Sequence, residues 1–197
     1  MCHPTVCQRE AAILPAVSLR VDVIGLGENS VDRVRVTGLP AGSVSKTRVA
    51  RIDAEAGDRR LCGGQGATTM TACAALGLDV AYSGAIGRDD DGAMVREALT
   101  NFGVDLTYLH VRDAATRTAL ILVDAATGER SVYWQRDGAL DLAPAEVDAI
   151  SLTGVRAVHV DDTDFEASIR LAGRARDAGV IVTTDIDAGA SLAGRGV

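Results

Sequence analysis

The sequence predicts an α/β protein built on a largely parallel sheet, with a few amphipathic strands lying outside it. Three observations carry this expectation. From Arg20 onward, strand-like runs alternate with segments of helical period. The runs Val21–Gly27, Val80–Ile86 and Ala157–Val160 are nearly unbroken in small and branched aliphatic residues, as strands buried on both faces require. The helical segments stop at Gly77, Gly103 and Gly179, each shortly before another strand. The 197 residues are 47% apolar but only 3% aromatic, with 21 glycines, so the core must be aliphatic. This is not the composition of a disordered chain.

Each element has its own warrant. Val21–Gly27 is a short buried strand ending in glycines. Val31–Val36 keeps period two, with Val34 and Val36 on one face and Arg33 and Arg35 on the other, as in a half-exposed strand. After the Pro40–Ser43 turn, Val44–Ala56 mixes Val44, Val49 and Ile52 with charges and reads as extended. Gly63-Gly64-Gln65-Gly66 opens a helix to about Leu76, with Met70, Cys73, Ala74 and Gly77 on one face suited to close packing. Asp89-Asp90-Asp91 suits the positive end of the next helix, where Met94, Val95, Ala98, Leu99 and Phe102 repeat at three and four. Leu106–Val111, Thr118–Val123 and Ser131–Gln135 are extended, the last two forming a hairpin across Thr127-Gly128. A short helix around Pro144–Ile150 precedes the strand Ala157–Val160. Thr163-x-x-Glu166 has the form of a capping box, opening a helix with Phe165, Ile169 and Ala172 on one face. The strand Val180–Asp185 follows.

Composition excludes several function classes. A net charge of −7 without a Lys/Arg cluster gives no footprint for nucleic acid. Ala11–Leu19 is too short to span a membrane, and it lacks the small-residue cleavage pattern of a signal peptide. Cys2, Cys7, Cys62 and Cys73 show no paired spacing and read as reduced thiols in a cytoplasmic protein. His3 between Cys2 and Cys7 has no second ligand cluster, so no metal site is expected, and residues 1–19 read as an unordered tail.

Two glycine motifs invite a nucleotide reading. Gly25-x-Gly27-x-x-Ser30 lacks the third glycine of a dinucleotide fingerprint and is followed by a strand rather than a helix. No Gly-Lys-Ser/Thr of a Walker A loop occurs. Gly63-Gly64-Gln65-Gly66-Ala67-Thr68 does open a helix, so its amides can approach hydroxyl or phosphate oxygens. Asp32 lies just past the first strand, and Asp161 and Asp185 end two later ones, at the edge where open α/β sheets bind ligands. Three carboxylates and a glycine loop around one crevice suit a neutral, polyhydroxylated ligand.

Taken together, Gly27-x-x-x-x-Asp32, Gly63-Gly64-x-Gly66, Leu76-Gly77, Gly84-x-x-Gly87-x-Asp89-x-x-Gly92, Gly103-Val104-Asp105, Thr116-x-Thr118-Ala119 and Asp185 give the chain its likeness. From about Val21 to Asp187 it resembles the ribokinase-like (PfkB-type) carbohydrate kinases. The resemblance implies a three-layer αβα sandwich with a mostly parallel central sheet and a small β-sheet lid, here at about residues 31–56 and 106–135 of a domain covering 20–197. It implies ATP- and Mg2+-dependent phosphoryl transfer to a hydroxymethyl group of a sugar or related polyol, and in many members a homodimer through the lid. Carried over by position, Asp32 would hold sugar hydroxyls, Gly63 and Gly64 would contact them through backbone, and Asp161 would sit at the sugar or hinge. Asp185 would lie near the phosphates.

Two departures stand in the glycine loop: the family's usual Asn is Thr68 here, and the Lys common in ribokinases is Gln65. A hydroxyl cannot make the two-sided contact of an amide. A larger departure is that no Gly-Ala-Gly-Asp motif occurs, the motif that in the family supplies the catalytic base and the anion hole. The only look-alike, Ala56-Gly57-Asp58, reads as a turn, and the metal-placing Asn-x-x-Glu segment and adenine-pocket residues are also missing. Roughly a third of the family fold is expected to be lacking, leaving it C-terminally incomplete and marginally stable alone. No catalytic residue is therefore assigned, and the isolated chain is expected to be inactive. The alternatives are a nucleoside kinase of the same superfamily and a non-catalytic sugar-binding or dimerising remnant.

Overall fold

The computed structural model describes residues 21–37 and 59–186. The expected tail at 1–19, the extended segment Val44–Ala56 and the turn at Ala56-Gly57-Asp58 lie outside them.

Among the described residues nine strands build two sheets. The main sheet is five-stranded and parallel throughout, in the order β5-β4-β1-β8-β9. Its strands are β1 (Val23–Leu26), β4 (Val80–Gly87), β5 (Asp105–Arg112), β8 (Ala157–Asp161) and β9 (Ile181–Asp185). Every residue of β4 is buried, its small and aliphatic side chains interrupted only by Tyr82 and Ser83. Helices α1 (Gln65–Ala75) and α2 (Asp90–Asn101) cover one face, where Met70, Val95 and Leu99 pack on Val80, Tyr82 and Ile86. Helix α3 (Phe165–Asp177) and the segment 140–155 cover the other, where Leu140, Val147 and Leu171 pack on Ile24, Leu26 and Val158. The result is the αβα layering that the sequence implied.

The second sheet has the order β3-β2-β6-β7, from β2 (Ser30–Thr37), β3 (Arg59–Gly63), β6 (Thr118–Asp124) and β7 (Arg130–Gln135). Strands β2 and β6 run parallel, while β3 and β7 flank them antiparallel. This four-stranded sheet stands beside the C-terminal end of the main one.

Three expectations need correction. Leu106–Val111, assigned to the lid, is β5, an edge strand of the main sheet paired with β4. Its side chains are only partly covered, so an edge strand imitates a lid strand in pattern. The capping box at Thr163 does not form: Asp164 is the N-cap and makes no side-chain cap bond, while the Thr163 N–H donates to Asp161 Oδ1 at 2.9 Å. The buried stripe of α3 is Ala167, Ser168, Leu171 and Ala175, and Phe165 and Ile169 point outward.

The Gly87-x-Asp89-x-x-Gly92 motif does local work. The Asp89 carboxylate accepts from Gly92 N–H at 2.7 Å, Thr116 N–H at 2.8 Å and Thr116 Oγ1 at 2.6 Å, fastening the N-terminus of α2 to the start of β6. Burial works to raise the pKa of Asp89, but these donors outweigh it and hold it below the usual carboxylate range. A Cβ on Gly92 would strike the Gly87 carbonyl.

Candidate functional site

A cleft of about 790 Å³ opens between the second sheet and the loops at the C-terminal ends of β1 and β8. Glu28, Ser30, Asp32, Gly64 and Gln65 form one side, and Asp162 and Thr163 add the β8 loop. Strands β6 and β7 contribute Ala119, Ile121, Arg130, Val132 and Trp134, and Arg117 stands just before β6.

The glycine loop is shaped by close backbone approach. Gly64 has φ 95°, and a Cβ there would stand 2.5 Å from Asn29 Cα, so only glycine fits. A Cβ on Gly63 would collide with the Asp32 carboxylate, which lies against this bare backbone. Ser30 Oγ donates to Asp32 Oδ1 at 2.7 Å, leaving Oδ2 toward the glycine loop. The arrangement offers a ligand one carboxylate acceptor beside half-buried main chain that carries no side chain.

Asp161 has another task. Its Oδ2 accepts the N–H of Glu28 at 2.6 Å and of Gly66 at 3.1 Å, while Oδ1 accepts from Thr163. The positive end of α1 is therefore closed by a carboxylate of the chain itself, and Ala67 N–H is taken by the Glu28 carbonyl at 2.9 Å. Asp161 is 2% exposed and burial pushes its pKa up to about 6 against the pull of these donors. Behind it, fully buried Tyr82 donates its hydroxyl to the Gly27 carbonyl at 2.6 Å and accepts from Asn29 Nδ2 at 3.0 Å. Burial moves the Tyr82 pKa far upward.

Charge in the cleft is largely paired. Arg117 forms an ion pair with Glu28, and its guanidinium lies 4.8 Å from the centroid of the Trp134 ring. Burial, helped by nearby Arg136, lowers the Arg117 pKa to about 10, so it stays charged at neutral pH. Arg136 reaches Asp164 at 2.7 Å and also pairs with Asp141.

The structure brings Asp32 and Gly64 to the cleft, with Gly63 against the Asp32 carboxylate. It does not bring the other expected residues there. Thr68 is exposed on the first turn of α1, its N–H bonded to the Gly64 carbonyl. Asp161 is the cap behind the loop rather than a group on the cleft surface. Asp185 ends β9 in register with Asp161 but is exposed and does not line the cleft. Sequence reasoning missed Glu28, Arg117, Trp134, Arg136 and Asp162. Strand alternation along β7 was the one available signal, and it marks Trp134 but no partner for it.

Comparison with known proteins fits this geometry. The profile of the pfkB family of carbohydrate kinases matches residues 45–187. An ATP-dependent ribose-1-phosphate kinase of Halopiger xanaduensis is 30% identical over 142 residues, covering 70% of this chain and 48% of the relative. A nucleoside kinase of Methanothermobacter thermautotrophicus is 32% identical over 129 residues, 64% of this chain and 41% of the relative. The chain thus spans less than half the length of these relatives. Among solved structures, a ribokinase from Cryptococcus neoformans in complex with ADP superposes with a TM-score of 0.67 at 25% identity, covering 87% of this chain and 52% of that one. A fructokinase from Xylella fastidiosa with bound ATP gives 0.67 at 23% identity, covering 86% and 52%, and supports the fold alone.

Proposed function

The chain belongs to the pfkB family of carbohydrate kinases, and on that premise we propose that its cleft holds the acceptor of an ATP-dependent phosphoryl transfer, a sugar or sugar-based compound presenting a hydroxymethyl group. The observation that carries this is that Asp32, whose carboxylate lies against the bare backbone of Gly63, lines the cleft together with Gly64. A carboxylate accepts two adjacent hydroxyls, and the loop lets main chain approach the ring. Calorimetric titration with a panel of sugars and nucleosides tests it. At least one compound should bind, and Asp32→Ala should weaken it by tenfold or more, the loss of about 1.5–3 kcal/mol expected for a hydrogen bond to a charged group. Unchanged affinity in the variant would overturn the reading.

ATP and Mg2+ are the partners that the family implies. Among the described residues no group of three His, Cys, Asp or Glu side chains is placed to hold a metal ion. Two first-turn amides of α1 are already taken, that of Gly66 by Asp161 and that of Ala67 by the Glu28 carbonyl. Among the described residues no site for ATP with its metal is formed. This favours a second reading of the 197 residues on their own, as a binding module for the acceptor that transfers no phosphate by itself. ADP release from ATP and sugar, lost in Asp32→Ala, would refute it. We place the protein in the cytoplasm, with Cys62 and Cys73 as thiols, and pair two copies through the lid. Light scattering on the purified chain tests the pairing. No helix among the described residues is long and apolar enough to cross a membrane.

A further inference from the structure

One flank of the main sheet is open. β9 pairs with β8 on one side, and among the described residues nothing pairs with the other. Ile181 N–H donates to the Arg156 carbonyl on the β8 side, so alternation along the strand turns the N–H and C=O of Val182 and Thr184 outward. Ile186, just past the strand, continues that alternation. The run Ile181-Val182-Thr183-Thr184-Asp185-Ile186 is almost wholly β-branched, and it carries no Lys, Pro or bulge of the kind that guards an edge. By contrast β3, an edge of the second sheet, carries Arg59 and Arg60.

Helix α3 widens the same flank. Arg170 and Arg174 reach Asp148 and the carbonyls of Val147 and Ile150, so their side of the helix faces the middle of the sheet. With Leu171 buried against the sheet, 3.6 residues per turn place Ile169, Ala172 and Arg176 on the opposite side, toward the open edge. Ile169 is 57% exposed, Ile181 64% and Ile186 62%. A Cβ on Gly173 would meet nothing within 4 Å, so room remains beside this stripe for another helix.

The strand is its own complement about a twofold axis normal to the sheet. Such an axis keeps each residue on its own face, so the allowed registers centre on a residue. Centred on Thr184, Val182 meets the partner's Ile186 and Thr184 meets its own copy, and these are the residues whose main-chain groups point outward. Thr183 then meets the partner's Asp185, a hydroxyl beside a carboxylate. Centring on Thr183 instead would set Ile181 against a carboxylate. From the hydrogen bond between Val180 N–H and the Ala175 carbonyl, the strand climbs about 3.3 Å per residue and the helix about 1.5 Å. Thr184 is thus level with the N-terminal half of α3, and Ile169 faces its own copy across the axis.

We propose that two copies of this chain join edge to edge through β9 and the flank of α3, merging their five-stranded sheets into one. The surface is separate from the second sheet and includes none of the residues that line the cleft.

The test uses the full chain. Thr184→Pro removes an outward N–H that the single copy does not use, and Ile169→Glu places a charge where the single copy is exposed. Both variants should therefore fold, as circular dichroism checks, and should melt like the wild type at dilutions where copies separate. At higher concentration each should halve the mass that light scattering gives for the wild type, whether or not the lid also pairs. Hydrogen exchange reads the surface directly. The amides of Val182, Thr184 and Ile186 should slow by about tenfold or more when the concentration rises by about a hundredfold, while that of Ile181 stays protected throughout. A mass unchanged by both variants overturns the proposal and leaves any pairing to the lid. Protection of these amides that does not depend on concentration also overturns it, since the chain then covers its own edge, and so does free exchange at every concentration.

Discussion

A carboxylate sealed from solvent stays ionised only if donors surround it, and Asp161 has three main-chain N–H groups. Burial still wins, and the pKa rises to about 6 from the ordinary carboxylate value of 3.8. Between these values the folded protein holds the proton more tightly than the unfolded chain. The stability contributed by this group is therefore fully present below about pH 4 and is lost as pH rises through about 6. At about 1.4 kcal/mol per unit, the unfolding free energy of the wild type relative to Asp161→Asn should fall by about 3 kcal/mol across that window and be flat above pH 7. Urea melts of both proteins at pH 4, 5, 6 and 7 check this, and a difference constant with pH contradicts it. The same residue marks a limit of sequence reading. Its place at a strand end was legible and suggested a ligand contact. Its partners Glu28 and Gly66 are 133 and 95 positions away, and nothing local announces them.

Helix α3 shows the corresponding limit for elements. Its existence and its end at Gly179 were legible, because helical period and a C-terminal glycine are local signals. Its facing was not. Phe165 and Ile169 are the large apolar residues, yet small Ala167 and Ala175 with Leu171 let the helix come close to the sheet, and size yields to closeness of packing. Leu171→Ala should therefore cost about 2–5 kcal/mol, whereas Ile169→Ala, at a position 57% exposed, should change stability by about 0.5 kcal/mol or less. Denaturant midpoints of the two variants decide between the observed facing and the one that periodicity suggested. The start of helix α2 and the β6–β7 hairpin were legible for the opposite reason: the Asp89 cap on Gly92 and the Thr127-Gly128 turn are local signals, although Phe102, placed on the apolar face of α2 by its spacing, is 54% exposed.

At the scale of the molecule, two sheets must keep a fixed relation for the cleft to exist. Arg33 of β2 and Arg60 of β3 both reach Asp91 in the first turn of α2, while the Arg117–Glu28 and Arg136–Asp164 pairs hold the other side. Arg33 and Arg60 are about half exposed, so their pairs contribute little to overall stability and act on lid position. Asp91→Ala should raise amide exchange in β2 and β3 by about three- to tenfold while β1, β4 and β8 keep wild-type protection; uniform protection, or loss everywhere, would contradict it. Asp32 and the glycine loop could be found from their own spacing, but Arg117, Trp134 and Arg136 become site residues only when the lid folds over the main sheet. The central place of β1 also has a consequence for biosynthesis. One neighbour, β4, is made soon after it, but the other, β8, begins only at Ala157. A nascent chain on the ribosome carries β1 with an open edge, and α1 without its carboxylate cap, until Asp161 has cleared the exit tunnel. The Gly66 amide is thus among the last groups of the described fold to gain its partner, and synthesis itself times when this end of α1 is complete.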